Sequence, residues 1–515
     1  MDPEAVGSSP TSCTNDTILF NKKVMKKKLK TILPSGFKDT DNEELILREA
    51  LIEIIKRNFQ LYGFEQIDTS SFEFLENVAD TYNKETSTGI PTDDIFYFQN
   101  RPDSGVRGNE TSTIALRPDL TKSLARYTAK NNMSLSKPFK RFQIGTVWRD
   151  ELKPNTKGKM REFIQIDSDV VGTKNINADA DMIILLADTI EKCQLNKDEY
   201  IVKFSNRKLI LGLLNSLGVN DDATRLNVIR TCDKFSRLPQ KDVIDLLSTG
   251  RKDSSGEFLK GCNLKETQIK KILEFLETMN LNSLDKICDD PLFQEGIREL
   301  KELIKIINLS SYSKETIFSP SLMRGNEYYT STIFEANLFT KTKKGETVDL
   351  EYAIGGGGRY DQLVEKYTEN SIPGVGLSIG LSRLLLYLRQ LKKKINTKIS
   401  PPVVICVFNQ NLMPDYKKIL DLLRSNNINS EIYYGDGNIK SQMKYADWRN
   451  SPACLLYGEN EAKEKKIIIK NLTVGKKSSE EIKSREEWKE NKNIQVTVEI
   501  ENLLDEIRKI IPKDI

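Results

Sequence analysis

Among the 515 residues of this chain there is no histidine. Mechanisms that use histidine as base, proton shuttle or metal ligand are therefore excluded, serine-type triads and the common zinc hydrolases among them. Acid–base work falls to carboxylates, tyrosines or a substrate. Cysteine is sparse: the seven thiols (Cys13, Cys193, Cys232, Cys262, Cys288, Cys406, Cys454) are scattered without a CxxC pair. That speaks against a zinc site and a disulfide framework, and predicts reduced, mostly buried thiols. No stretch approaches the roughly 20 apolar residues that span a bilayer, so no membrane partner is expected. The first thirty residues lack an apolar signal core, and Asp2, Glu4 and Asp16 argue against a transit peptide; the expectation is a cytoplasmic protein. A formal net charge of +4 gives only a weak global field, so any RNA contact must come from local basic clusters.

What is there is a balanced globular composition, 38% hydrophobic and 30% charged, on a chain long enough for roughly two to four domains. Two segments concentrate the chemistry: Met323 to Ser331 (MRGNEYYTS) and Gly355 to Leu363 (GGGGRYDQL). Each crowds an arginine, tyrosine and glycine into one short run. Four glycines after the run Leu350 to Ile354 suggest a strand that ends at a ligand, because glycine accepts positive φ and close approach. A loose turn is the competing explanation. Arg324, whose planar guanidinium suits phosphate or carboxylate, sits before the β-forming run Tyr328 to Phe334 and favours the ligand.

These two segments resemble the signature segments of histidyl-tRNA synthetases, whose patterns read approximately RGLDYYTG and GGGRYDGL. Leu116 to Thr121 (LRPDLT) resembles the family's LRPEGT, Phe142 to Glu151 (FQIGTVWRDE) resembles class II motif 2, and Gly374 to Leu386 (GVGLSIGLSRLLL) resembles motif 3. The likeness runs from about residue 33 to the C-terminus. It is strongest to the alphaproteobacterial-type branch, which carries Asp where many members have Glu. Seen against this family, the missing histidine has two explanations: drift in a Lys-, Asn- and Ile-rich sequence, or an enzyme that gains by not requiring its own product.

The fold expected is α/β: a class II catalytic domain over 33–395, an antiparallel sheet with flanking helices, interrupted by a helical insertion at about 205–315. A mixed-sheet anticodon-binding domain over 401–515 follows, and 1–32 is expected to be a disordered basic head. Periodicity agrees. Asn42 to Leu61 has helical apolar spacing, while Thr113 to Arg117 and Phe139 to Arg149 alternate like strands. Helical patterns recur at Lys241 to Leu247, Glu266 to Asn280 and Leu292 to Asn308. After Pro401, short strands and helices alternate. The helix and strand near Asn42 to Asp68 resemble motif 1, which builds a homodimer interface, with Ser70 where the family has proline. Lys153, Lys157 and Lys159, in the turn that resembles the motif 2 loop, suit phosphate contacts.

The resemblance also assigns residues. Arg149 and Arg324 correspond to the two arginines that hold the α-phosphate of ATP and the substrate carboxylate, and are the catalytic candidates. Arg383 corresponds to the motif 3 arginine along the nucleotide, with Gly380 beside it. Asp119, Thr121 and Gln165 correspond to the histidine α-amino site and Asp169 and Tyr329 to the imidazole site, with Tyr328 a further histidine-binding candidate. The reaction implied joins ATP and histidine, with Mg2+ bridging phosphates, to give histidyl-adenylate; the 3′ end of the tRNA for histidine then accepts the histidine. Two other classes remain open at this point: a non-catalytic regulatory or tRNA-sensing relative, and a synthetase for proline or threonine.

Overall fold

The computed structural model describes residues 31–79, 95–99, 113–151, 154, 159–252, 256–324, 328–341, 347–393, 395, 401–473 and 495–511. Two sheets organise them. The larger has eight strands: β1 Glu65–Gln66, β2 Phe139–Trp148, β3 Glu162–Val171, β4 Tyr200–Asn206, β5 Thr316–Phe318, β6 Thr332–Lys341, β7 Thr347–Arg359 and β8 Gly374–Gly380. Their spatial order is β1-β2-β3-β8-β7-β6-β4-β5. The five inner pairings are antiparallel, and the short outer strands β1 and β5 run parallel to their neighbours. This is the antiparallel sheet with flanking helices that the motifs imply.

Helix α1 (Asn42–Leu61) begins where the Asp41 carboxylate accepts a hydrogen bond from the Glu44 amide at 2.8 Å. It stops ahead of Gly63, whose φ of +79° needs a residue without a β-carbon. Its inner stripe of Leu51, Ile55 and Phe59 is fully buried. Helix α2 spans Thr121–Asn131, and α3 spans Ile176–Lys192. Most of α3 is buried, with Met182, Ile183, Leu185 and Leu186 in the main core beside sheet residues such as Ile354 and Leu377. Such helices are held by apolar burial, at about 1.5–3 kcal/mol per large side chain. Helix α4 (Leu381–Gln390) continues directly from β8.

Strands β4 and β5 are parallel neighbours, and the crossover between them is the helical insertion. It contains helices Arg207–Ser216, Asp222–Cys232, Gln240–Leu247, Glu266–Glu277, Leu281–Leu284 and Pro291–Ile307. Pro291–Ile307 buries Phe293, Ile297, Leu300, Leu303 and Ile307, one helical face, into the same core as the sheet. The insertion also carries a hairpin, Gly250–Lys252 with Phe258–Lys260, absent from the sequence reading. Its strands are too short for alternation to register.

The second sheet comprises β9 Val403–Val407, β10 Ser430–Ile432, β11 Ala453–Tyr457, β12 Lys466–Asn471 and β13 Gln495–Glu499, in the order β10-β9-β11-β12-β13. Pairings of β9 are parallel and those of β12 antiparallel, so the sheet is mixed, as expected. The sequence reading missed β13, whose alternate residues are exposed. Six described cysteines are free thiols, five of them buried. Among the described residues no helix is long and apolar enough to cross a membrane.

Candidate active site

Three rows of paired residues cross the centre of the large sheet. The first runs Arg141, Asp169, Gly376, Gly358; the second Gln143, Asp167, Ser378, Gly356, Glu335; the third Gly145, Gln165, Gly380. Paired residues share a face and alternate residues of a strand do too, so Gln165, Asp167 and Asp169 point to one side. Glycines opposite them leave that face open. A β-carbon on Gly376 would lie 1.9 Å from Asp169 Oδ1, one on Gly356 2.7 Å from Arg324 Nη1, and one on Gly358 2.8 Å from the Tyr329 ring.

The glycine run therefore works differently from the sequence reading. β7 does not end before it; the strand continues through Gly355 to Gly358, hydrogen-bonded to β6 and β8 on both sides. None of the four glycines has positive φ. Gly356 and Gly358 are required because the Arg324 and Tyr329 side chains lie where their β-carbons would be, and β-carbons on Gly355 and Gly357 would meet the carbonyls of Ser378 and Gly376 on β8.

Over this floor lies a cavity of about 270 Å³. Its walls bring together Arg149, Arg324, Arg383 and Gly380 with Asp119, Thr121, Gln165, Asp169, Tyr328 and Tyr329, all ten residues singled out from the sequence. Arg149 is fixed from three directions: Nε donates to the Pro118 carbonyl at 2.9 Å, Nη2 to Gln165 Oε1 at 3.4 Å, and the guanidinium stacks 5.2 Å from the Phe163 ring centre. Arg383 Nη1 donates to the Ala353 carbonyl at 2.7 Å. Burial, with repulsion from Arg149, holds the Arg383 pKa below its ordinary value. An anion between the two arginines would relieve that repulsion.

Arg324 occupies the left-handed region at φ +54°, a strained conformation for a non-glycine residue. Arg207 holds the turn by donating from Nη1 to the carbonyls of Met323 at 2.9 Å and Arg324 at 3.2 Å. The Arg324 side chain donates to Glu335 Oε2 at 2.8 Å. Burial opposes its charge, but Tyr329 and Glu335 outweigh burial and raise its pKa.

At the other end, Asp119 Oδ1 accepts from the Lys122 amide at 2.9 Å, in the first turn of α2. Thr121 Oγ1 donates to Asp167 Oδ2 at 3.5 Å, and Gln165 Nε2 donates to both Asp167 oxygens at 3.0 and 3.1 Å. The Gln165 amide is thereby oriented, its oxygen toward Arg149. Burial, reinforced by Asp169, pushes the Asp167 carboxyl up to about 7, against the pull of Arg141 and of hydrogen bonds from Ser378 and Gln165. Asp169 accepts from the Tyr360 hydroxyl at 2.5 Å and meets Arg141 at 2.7 Å. Burial raises its pKa, and Arg141 and Tyr360 oppose that.

Asp167, Arg141, Tyr360 and Glu335 were given no site role by the sequence reading. The signal for Arg141 was a charge at an inward position of an alternating strand. Lys159 pairs with Glu151 at 2.9 Å on the cavity rim, while Lys153 and Lys157 lie outside the described residues. Among the described residues no three His, Cys, Asp or Glu side chains form a metal-holding cluster.

Comparison with known proteins follows this geometry. The family model described as histidyl-tRNA synthetase matches residues 36–384, and that described as anticodon binding domain matches 402–510. A histidine-tRNA ligase from Pelagibacter ubique is 38% identical over 495 residues, covering 95% of this chain and all of the relative. One from Bartonella quintana is 36% identical, covering 94% of this chain and 98% of its own. The crystal structure of a histidyl-tRNA synthetase from Nostoc superposes with a TM-score of 0.67 at 26% identity, covering 94% of this chain and 100% of that one.

Proposed function

This chain belongs to the histidyl-tRNA synthetase family, and from that premise we propose how its residues divide the work. The enzyme activates histidine with ATP and transfers it to the 3′ end of its tRNA. We assign the first step to Arg149 and Arg324. Attack of a carboxylate on the α-phosphate brings two anions together, and positive charge that is fixed before the reaction lowers that barrier most effectively. Arg383 and the bare backbone at Gly380 carry the nucleotide. Asp119, Thr121 and Gln165 receive the α-ammonium, and Asp169 with Tyr328 and Tyr329 receives the imidazole. The observation that carries this division is the convergence of all ten groups on one cavity.

In this reading Mg2+ would accompany ATP and supply charge that screens its phosphates. Glu151 and Glu335, the carboxylates on the arginine side, have the hard oxygen donors such an ion takes. Residues 33–395 form the catalytic unit and 401–515 the anticodon-binding unit. On the latter, Tyr434 and Trp448 are 71% and 76% exposed, surfaces on which RNA bases can stack. The working form is a homodimer in the cytoplasm. Support for the dimer is the three-stranded sheet of Phe72–Phe74, Thr113–Leu116 and Tyr97–Gln99, which turns Phe72, Phe74 and Phe98 toward solvent.

Histidine-dependent ATP–pyrophosphate exchange tests the reading, with proline, threonine and no amino acid as controls. Exchange with histidine alone is expected, and Arg324→Ala should depress it while leaving the protein folded. An Arg324→Ala enzyme that exchanges at the wild-type rate would remove Arg324 from its role.

A further inference from the structure

We propose that the pocket accepts histidine with its imidazole ring neutral, and that Arg141, beside Asp169 on the same sheet face and outside the cavity lining, is the specificity-determining residue that sets this choice. The proposal rests on the reading above, in which Asp169 meets the imidazole.

Asp169 lines the cavity and Arg141 does not. The two face each other in register across β2 and β3, with Arg141 Nη2 2.7 Å from Asp169 Oδ2. Arg141 is 0% exposed and Asp169 2%. None of the three guanidinium nitrogens makes a well-angled hydrogen bond, so the ion pair is the contact that balances this buried charge. A lone buried guanidinium costs several kcal/mol, roughly, which ties Asp169 to Arg141 electrostatically before any ligand arrives.

The other groups facing Asp169 do not change the balance. From its own strand comes Asp167, hydrogen-bonded to Gln165 and Thr121 and raised by burial toward neutrality. After β7 comes Tyr360, which donates to Asp169 Oδ1. Ahead of α2 stands Asp119, assigned to the α-ammonium, and from the loop after Arg324 come Tyr328 and Tyr329. At the ring end, with Asp167 protonated below its pKa of about 7, one carboxylate thus meets one guanidinium, for no net charge. An imidazolium there would be a desolvated cation with no unpaired counter-ion and a guanidinium beside the carboxylate. A neutral ring fits instead: its N–H donates to a remaining lone pair of Asp169 and its bare nitrogen accepts from a tyrosine hydroxyl. If Asp169 held a proton, Arg141 would be unbalanced and an imidazolium still less welcome.

Because the chain has no histidine of its own, the substrate supplies the sole imidazole in the complex. The test measures KM in pyrophosphate exchange for histidine and for the analogue bearing 1,2,4-triazole, whose ring does not protonate near neutrality. Dividing one KM by the other cancels titration of the protein, Asp167 included. In wild type the ratio is expected to climb by about tenfold per pH unit below the imidazole pKa of about 6.5. Arg141→Met should flatten or reverse the climb, and Arg141→Lys should keep it. A second readout, the ring 15N shifts of labelled histidine bound to the wild-type enzyme at low pH, should report a neutral ring. A flat or falling wild-type ratio, bound imidazolium shifts, or an unchanged climb in folded Arg141→Met would each overturn the proposal. Failure of the functional reading itself would look different: no histidine-dependent exchange even at high pH.

Discussion

Arg324 lies across the backbone of Gly356, its Nη1 2.7 Å from the point a β-carbon would occupy. The same β-carbon would stand 2.6 Å from the Phe334 carbonyl, so even if the guanidinium swings away the facing strand cannot make room cheaply. Gly356→Ala is expected to cost about 1–3 kcal/mol of stability. Displacing the guanidinium should lower pyrophosphate exchange on the order of a hundredfold. Gly380→Ala is the contrast, since its β-carbon would have no neighbour nearer than 3.8 Å. That variant should melt like wild type but show a raised KM for ATP and an unchanged KM for histidine. Equal activity of both variants with wild type would show that neither backbone needs to stay bare.

How these residues meet was only partly legible in the sequence. Alternation along Gln165, Asp167 and Asp169 puts them on one face of any strand, and all ten residues that the family segments picked out line the cavity. Register between strands is a different matter: nothing local to Arg141 says that Asp169 will face it, because that pairing is set by sheet order. For the same reason the glycines were misread. Locally, four glycines weaken a strand; in the sheet, β6 and β8 bond to both edges of β7, and crossing side chains or the facing backbone of β8 forbid anything larger. β13 and the hairpin after Gly250 escaped notice because short, exposed strands bury too little to leave a pattern.

Asp167 makes stability depend on pH. Its folded-state pKa of about 7 lies above the ordinary 3.8. Between those values the folded protein keeps a proton that the unfolded chain has lost. Its contribution is thus fully present below about pH 4, falls as pH rises toward about 7, and is flat above. Asp167→Asn removes this slope. Relative to wild type, the variant should gain on the order of 2–4 kcal/mol between about pH 4 and pH 8. Urea unfolding of both proteins across that range checks it; parallel curves would mean Asp167 is ionised throughout.

Arg359 belongs to the Gly355 to Leu363 segment yet does not line the cavity. It donates from Nε to Asp179 Oδ1 at 3.0 Å and from Nη1 to the Thr173 carbonyl at 2.9 Å, stapling β7 to the start of α3. Asp179 is 0% exposed. Arg359→Met would strand that carboxylate and should destabilise by about 3–5 kcal/mol. Adding Asp179→Leu should recover a large part of the loss. A single variant as stable as wild type in denaturant would show the pair to be dispensable.

On the three-stranded sheet, Phe74 and Phe98 flank Ile114 in one row, and the Phe72 ring centre sits 6.4 Å from that of Phe98. Glu73 and Ala115 face the opposite way and are buried. One side of this small sheet is thus anchored to the protein while the other offers three phenylalanines, 51%, 43% and 49% exposed, to water. A clustered aromatic face of this kind is the signature of an interface. Phe74→Glu puts a charge on this face, which a second copy of the same face cannot cover without leaving it unpaired. Sedimentation velocity should find the wild-type chain dimeric and the variant shifted toward monomer, with its far-ultraviolet spectrum unchanged. A variant that stays dimeric would move the interface elsewhere, and a monomeric wild type with full exchange activity would abolish the need for one.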